Sequence, residues 1–417
     1  MKPAISQFAS SLVAEGAIVV LTTAKQLKAA DKDVVELEIG DSPFDSPASA
    51  KAAGLQSITD NVSHYCPSLG LPEFRTAAAK MVREEFGIPA EMENIAVAPG
   101  AKPFEQFFCE TFLDANDGVF VFSPHFPTYP PNILRRGARM VLQPLLQQHE
   151  FRPQLKDIER FLKEDPSPKA IFLNSPHNPT GGVTTEEDLK GIADLVRGTN
   201  IAVFSDEPYC HMVWDGRHHS LAAQPDMLDH TVAAYTFSKS YSMSGWRLGF
   251  CVSSAEIIQS VGLMINTTLS CTPPLVQLAG MAALQHDTAE RDQVMAQFRD
   301  KVKLLSAGLN QINGFETLDA AASFYVFANV SQLCQKFRIT SHGLAMYLLQ
   351  GADDDFGIAC LGGECFGDAG NGFLRFSCAE PDDRLHQALD FLPVALSRED
   401  RLRDWLNDHA EYQLFSG

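Results

Sequence analysis

The sequence predicts an α/β protein: a large domain with a mostly parallel sheet covered by helices, plus a smaller α+β domain. Three observations carry this reading. Short β-rich runs alternate with longer helical patterns through the middle of the chain. Those runs are almost continuously apolar, the pattern of strands covered on both faces. The chain, at 417 residues, also exceeds the length at which a single core stops growing, so two domains are expected.

The N-terminal stretch to about residue 48 is assigned to the small domain. Its opening, MKPAISQFASSLVAEGAIVVLTT, has one early Lys and a short apolar run broken by Glu15 and Gly16. That is a poor signal peptide and too short to span a bilayer. Core strands are expected at 94–98 (NIAVA), 118–122 (GVFVF), 169–173 (KAIFL), 201–205 (IAVFS), 231–237 (TVAAYTF) and 248–252 (LGFCV). Helical stretches such as 184–197 and 254–265 lie between them. From about residue 296 the texture changes. A long charged helix, roughly 288–312, leads into smaller β segments near 324–328 and 373–378. The tail from about residue 396, SREDRLRDWLNDHAEY, reads as an amphipathic helix with a solvated face. The expected division is 49–295 for the large domain and 1–48 with 296–417 for the small one. There is no internal repeat and no low-complexity segment.

Hydrophobic residues make up 45% and charged residues 20%, ordinary values for a globular protein. The formal net charge of −19 repels phosphate backbones and anionic lipid heads, which argues against nucleic acid and membrane partners. The nine cysteines run from Cys66 to Cys378 without a C-x-x-C pair. No disulfide framework and no metal site is read from them, and a reducing, cytoplasmic compartment is expected.

Ligands of open parallel sheets bind beyond the carboxyl ends of the strands. Three expected strands end there in polar clusters. The 169–173 strand runs into Asn174-Ser175-Pro176-His177-Asn178-Pro179-Thr180-Gly181, the 201–205 strand into Asp206-Glu207-Pro208-Tyr209, and the 231–237 strand into Ser238-Lys239. Taken singly, these are a turn, a helix cap and a surface charge. Together at one edge, with Arg247 shortly after the lysine, they point to a site.

SPHNPTG, SDEPY and FSKSYSMSGWRLG resemble the signature segments of the class I/II aminotransferases, fold-type I pyridoxal-phosphate enzymes related to aspartate aminotransferase. LEIGDSPFDSP near residue 40, HYCPSLGLPEFRTAAA and FLRFSCAEP extend the resemblance to both ends, in family order. It implies pyridoxal 5′-phosphate as cofactor, with Lys239 holding it as a Schiff base. A lysine amine forms an imine with an aldehyde and, once displaced, serves as base and acid at the substrate α-carbon. Asp206 matches the carboxylate that keeps the ring nitrogen protonated. Asn178 and Tyr209 match the donors to the ring hydroxyl oxygen. For the phosphate, the resemblance implies Gly100, Ala101 and Lys102 at a helix start, chiefly through backbone amides. Thr236, Ser238 and Arg247 join them. Tyr65 matches a residue that reaches the phosphate from a neighbouring subunit, and interface packing is its plainer reading. Phe126 stands where relatives often carry Trp or Tyr to stack on the ring. Arg375 matches the reader of the substrate α-carboxylate, and Gly40 lets the backbone approach the same group.

The resemblance implies transfer of an amino group from an L-amino acid to a 2-oxo acid with ping-pong kinetics, in a homodimer with sites at the interface. The same groups also serve a carbon–sulfur β-lyase or a γ-elimination synthase. A cofactor-binding regulatory domain is a third reading, but residues 1–40 show no convincing helix-turn-helix. The arm at Gly16-Ala17-Ile18-Val19-Val20 leans toward apolar or aromatic substrates over aspartate. Pro208 departs from the Ile or Val common in relatives.

Overall fold

The computed structural model describes residues 3–414. Met1 and Lys2 of the N-terminal reading, and Phe415 to Gly417 of the 296–417 division, lie outside the described residues. In chain order the strands are β1 (Asp33–Glu36), β2 (Ile95–Ala98), β3 (Gly118–Ser123), β4 (Arg139–Pro144), β5 (Pro168–Asn174), β6 (Ala202–Asp206), β7 (Thr231–Thr236), β8 (Gly249–Val252), β9 (Tyr325–Asn329), β10 (Phe356–Ala359), β11 (Leu361–Gly362) and β12 (Phe373–Ser377).

The largest sheet has seven strands in the order β2-β8-β7-β6-β5-β3-β4. Strands β3 to β7 pair in parallel, and β8 runs antiparallel to both β7 and β2. Strand β2 therefore points the same way as β7. The carboxyl ends of β2, β3, β5, β6 and β7 all meet one edge, and β8 starts there.

Each strand divides its side chains between two cores. Val119, Val121, Phe172, Phe204 and Ala234 face one, and Phe120, Phe122, Ile171, Val203 and Tyr235 face the opposite side. Burial on both faces is why these strands read as unbroken apolar runs. Strand β4 is the exception. Its side chains are only partly covered, it lies at the sheet edge, and it ends in Pro144. An edge strand has no second partner and needs no apolar run, so the sequence reading passes over it.

The helix Lys102–Phe112 follows β2 and buries Phe104, Phe107 and Phe108. The Phe108 ring centroid lies 5.4 Å from those of both Phe172 and Phe204. Truncation of Phe108 to alanine costs about 3–5 kcal/mol on general experience with buried aromatics. This packing fixes the start of the helix above the sheet edge. The helix Glu186–Val196, within the expected 184–197, starts at Thr185, whose hydroxyl accepts from the Asp188 N–H while Asp188 accepts from the Thr185 N–H.

The two smaller sheets come from the ends of the chain. Strand β1 pairs in parallel with β10, and β12 lies between β11 and β9 in antiparallel register. The helix Thr288–Leu309 packs into the core they share. The backbone links them at the site: Leu37 N–H donates to Ala359 O and Ser377 N–H donates to Leu37 O. The tail forms the helix Glu399–Asp408, which buries Leu402 and Leu406. Among the described residues no helix is long and apolar enough to cross a membrane. All nine cysteines are free.

Candidate active site

Five strand ends and two terminal segments meet around one cavity of about 340 Å³. Its lining includes Gly40, Ala101, Lys102, Phe126, Asn178, Asp206, Tyr209, Thr236, Ser238, Lys239, Arg247 and Arg375. Of the residues singled out in the sequence, Gly100 stands just behind this lining and Tyr65 outside it. Tyr65 is 89% exposed on the surface.

Lys239 follows β7, and its amine donates to the Gly40 carbonyl at 2.6 Å. The aromatic rings of Phe324 and Tyr209 lie 5.5 and 5.9 Å from that amine. The amine is therefore held at the cavity floor by one neutral acceptor, without a carboxylate clamped to it. Gly40 is required by space: a Cβ there would collide with the Tyr325 hydroxyl.

Asp206 ends β6 and is buried. Burial pushes its carboxyl up to about 6, against the hydrogen bond from Tyr129 and the charges of Lys239 and Lys102. Tyr129 OH donates to Oδ2 at 2.6 Å. Asn174, beside Asp206 across the β5–β6 pair, donates its amide to the Asp206 carbonyl at 2.8 Å and accepts from the Asn178 N–H at 2.9 Å. One asparagine thus ties the Asn178 loop to the Asp206 strand. Tyr209 OH donates to Tyr325 OH at 3.4 Å, and burial pushes its phenol well above the ordinary range.

At the other end, Arg247 reaches the start of the helix Lys102–Phe112. Its Nη1 donates to Ser244 O at 2.8 Å and its Nη2 to Pro99 O at 3.1 Å. Gly100 has φ +90°, and a Cβ on it would lie 2.6 Å from Arg247 Nη2. The missing side chain leaves a concave cradle. No side chain caps the start of the helix, which lies beside the Arg247 guanidinium. Thr236 and Ser238 add hydroxyls, joined at 2.9 Å. Amides, hydroxyls and a guanidinium converging at a helix start suit a dianionic phosphate. The Lys102 side chain goes elsewhere, pairing with Glu15 at 2.6 Å on the N-terminal arm and lying 5.2 Å from the Phe126 ring centroid.

Arg375 comes from β12. Nη1 donates to Asn178 Oδ1 at 3.0 Å and Nη2 donates to the Glu38 carbonyl. Its guanidinium lies over the Tyr325 ring and over the Phe366 ring, 4.1 and 5.0 Å from their centroids. Stacking holds the fork while leaving N–H groups free for a carboxylate.

Several residues of the site carry no sequence signal. Tyr129 lies within the SPHFPTYP segment, yet no spacing in the sequence relates it to Asp206. Tyr325 sits on an apolar segment far along the chain, and Glu38 lies within LEIGDSPFDSP, where nothing in the spacing relates it to Arg375. Glu105 lines the cavity although it lies within a helix, and it accepts from Thr128 Oγ1 at 2.5 Å and Asn132 Nδ2 at 3.3 Å. Burial pushes its carboxyl up to about 8, with the Asp206 charge adding to the rise. Among the described residues no group of three or more His, Cys, Asp or Glu side chains is arranged to hold a metal ion.

The profile of the family "Aminotransferase class I and II" matches residues 32–392. An aspartate aminotransferase of Pyrococcus abyssi is 30% identical over 375 residues, 89% of this chain and 93% of that protein. Aromatic-amino-acid aminotransferase 2 of Thermococcus litoralis is 27% identical, over 88% of this chain and 92% of that one. Among solved structures, a Thermus thermophilus aspartate aminotransferase single mutant superimposes with a TM-score of 0.87 at 26% identity, covering 94% of this chain and all of that one. These relatives are aminotransferases by name, which favours transamination over a β-lyase or γ-elimination reaction.

Proposed function

The chain belongs to the class I and II aminotransferases and is a transaminase, and from that premise we propose how its residues divide the work. The observation that carries the proposal is the convergence of Lys239, Asp206, Arg247 and Arg375 on one cavity. Pyridoxal 5′-phosphate fits this donor set. Arg247, Thr236, Ser238 and the backbone at Gly100, Ala101 and Lys102 would hold its phosphate. Asp206 would face the ring nitrogen, Asn178 and Tyr209 the ring oxygen, and Phe126 the ring face. When bound, the cofactor supplies an aldehyde carbon for the amino group and a ring that accepts an electron pair.

The residues then act as follows. Arg375 grips the α-carboxylate of an L-amino acid through two parallel hydrogen bonds, and the Gly40 backbone lies alongside. This orients the α-carbon toward Lys239. The Lys239 amine removes the α-proton, and its attachment to Gly40 O keeps it at the cavity floor. Asp206, ionised, favours a protonated ring nitrogen, and Tyr129 holds that carboxylate in place. A 2-oxo acid then takes the amino group by the reverse steps.

The donor we propose has a neutral, apolar or aromatic side chain. Ala17, Ile18, Ile39 and Phe126 line the cavity, and the Lys102 cation beside them is already paired with Glu15. The relatives are named for both aspartate and aromatic substrates, so the pairing is the distinguishing feature. We further propose a homodimer in which Tyr65 reaches the neighbouring phosphate site. Its 89% exposure, with Leu55, Ile58 and Leu263 also exposed, supports an unsatisfied apolar surface. The same proposal keeps the domain division at 49–295 against both termini and places the enzyme in the cytoplasm, consistent with free cysteines.

The test is an absorbance spectrum of the purified protein with single amino acids and no oxo acid. A visible cofactor band that bleaches with phenylalanine or leucine, more readily than with aspartate, is the expected result. Release of ammonia with pyruvate instead would reject transamination. Absence of any band after cofactor addition would reject the cofactor assignment.

A further inference from the structure

Beside the cavity, two residues carry buried polar atoms without partners. Glu38 is fully buried, and neither of its carboxyl oxygens has a hydrogen-bond partner. Arg375 Nε is buried and unpartnered as well. The two residues are neighbours: Arg375 Nη2 donates to the main-chain carbonyl of Glu38, while the Glu38 carboxyl itself makes no bond to the guanidinium. They lie on the segments that Leu37 and Ser377 stitch together. A buried carboxyl without a donor is costly as an anion unless a positive charge stands near it.

The charged and titratable groups around Glu38 are few. Glu36 comes from β1, Glu380 from the turn after β12, the Cys360 thiol from the link between β10 and β11, and Arg375 from β12. Arg375 is the cation among them. Burial pushes the Glu38 carboxyl up to about 7; its own backbone N–H opposes the rise, Glu36 and Glu380 add to it, and Arg375 opposes it further.

We propose that Glu38 is a positioning residue whose protonation is linked to binding of the substrate's α-carboxylate at Arg375. The inference rests on the assignment of Arg375 made above. With the site free of substrate, an ionised Glu38 is stabilised through space by the charge of Arg375, without a direct ion pair between the two side chains. An arriving carboxylate takes over that charge and adds a negative one. Glu38 then takes a proton from the solvent and becomes a neutral acid, so two negative charges do not stand beside one guanidinium. Raising the pH keeps Glu38 ionised and weakens carboxylate binding. The dissociation constant rises by up to about tenfold per pH unit above the point where free Glu38 loses its proton.

The experiment is calorimetry on the holoenzyme with 3-phenylpropanoate, an amine-free monocarboxylate, between pH 6 and 9. Paired buffers of different ionisation enthalpy give the protons taken up per ligand. The wild type is expected to take up a fraction of a proton approaching about one per site. In Glu38→Gln the uptake falls and the pH dependence of binding flattens, while the ligand still binds. A residue of merely structural importance would leave the proton count unmoved. Unchanged uptake in Glu38→Gln, or no uptake in the wild type, overturns the proposal. If the variant fails to fold, infrared difference spectra of the wild type serve: no new protonated-carboxyl band on ligand binding overturns it. Arg375→Lys separates the two assignments. Loss of ligand binding there upholds the role of Arg375 whatever the proton count shows, whereas full retention rejects that role and the linkage together.

Discussion

Two buried carboxyls flank the same cavity and are treated in opposite ways. Asp206, on the edge of the large sheet, has a tyrosine hydroxyl on one oxygen and two lysine charges acting on it. Glu38, on the segment that joins the terminal sheets, has no donor to either oxygen. Burial raises both, Asp206 to about 6 and Glu38 to about 7. The difference teaches where this fold invests its order. The Asp206 side is tied by a bond from Asn174 on the adjacent parallel strand and by one from Tyr129 on a helix. The side proposed to bind carboxylate is assembled from distant segments and leaves polar atoms of Glu38 and Arg375 without partners.

That contrast is broken or sharpened by substitutions on either side. The largest effect is expected for Lys239→Ala. It should lower kcat by at least about 10⁴-fold, since a base and a covalent anchor are lost together, and should abolish the visible cofactor band. Arg375→Lys should act on binding instead. Loss of a two-pronged contact raises KM for the amino acid by roughly 10- to 100-fold with a smaller change in kcat. Steady-state kinetics decide this, and an effect on kcat alone would break the division between the two sides.

A subtler effect is expected for Tyr129→Phe. The hydroxyl opposes the burial-driven rise of Asp206, so its removal moves that carboxyl further up. At pH 7 less of it is ionised, and kcat should fall about five- to tenfold, in line with one hydrogen bond to a charged group. The loss should shrink as the pH is raised, and a kcat–pH profile reads it directly. The smallest effect concerns stability. Glu105 stands at about 8 in the fold against an ordinary 4.5. The folded state therefore holds a proton that the unfolded chain releases between those values, and stability falls as the pH rises through that window. In Glu105→Gln this decline should be reduced, so the Tm of the variant gains on the wild type by a few degrees between pH 5 and pH 8. A parallel pH dependence in both proteins would show that Glu105 is ionised in the fold.

Much of the large sheet was legible because its inner strands are apolar on both faces, as Phe120 with Val121 and Ile171 with Phe172 illustrate. Strand β4 was not, because an edge strand with partly exposed side chains has no such run. The residues that the cofactor assignment needs were legible because they stand in contiguous motifs at strand ends. The supporting residues were not. Tyr129 meets Asp206, and Tyr325 meets Tyr209 and Arg375, only through packing. The sequence placed the Lys102 amide at a helix start, and only the structure shows its side chain pairing with Glu15.

The sequence by itself determined the fold class and the family and pointed to Lys239, because each is written locally: alternating apolar runs, strand-end motifs, and the lysine in its segment. The tertiary structure decided what no local pattern encodes. It brought Glu38 and Arg375 together, placed Tyr129 on Asp206, and spent the Lys102 charge on Glu15. The physical reason is that burial, charge and hydrogen bonding depend on neighbours in space, and at these positions the neighbours come from distant parts of the chain.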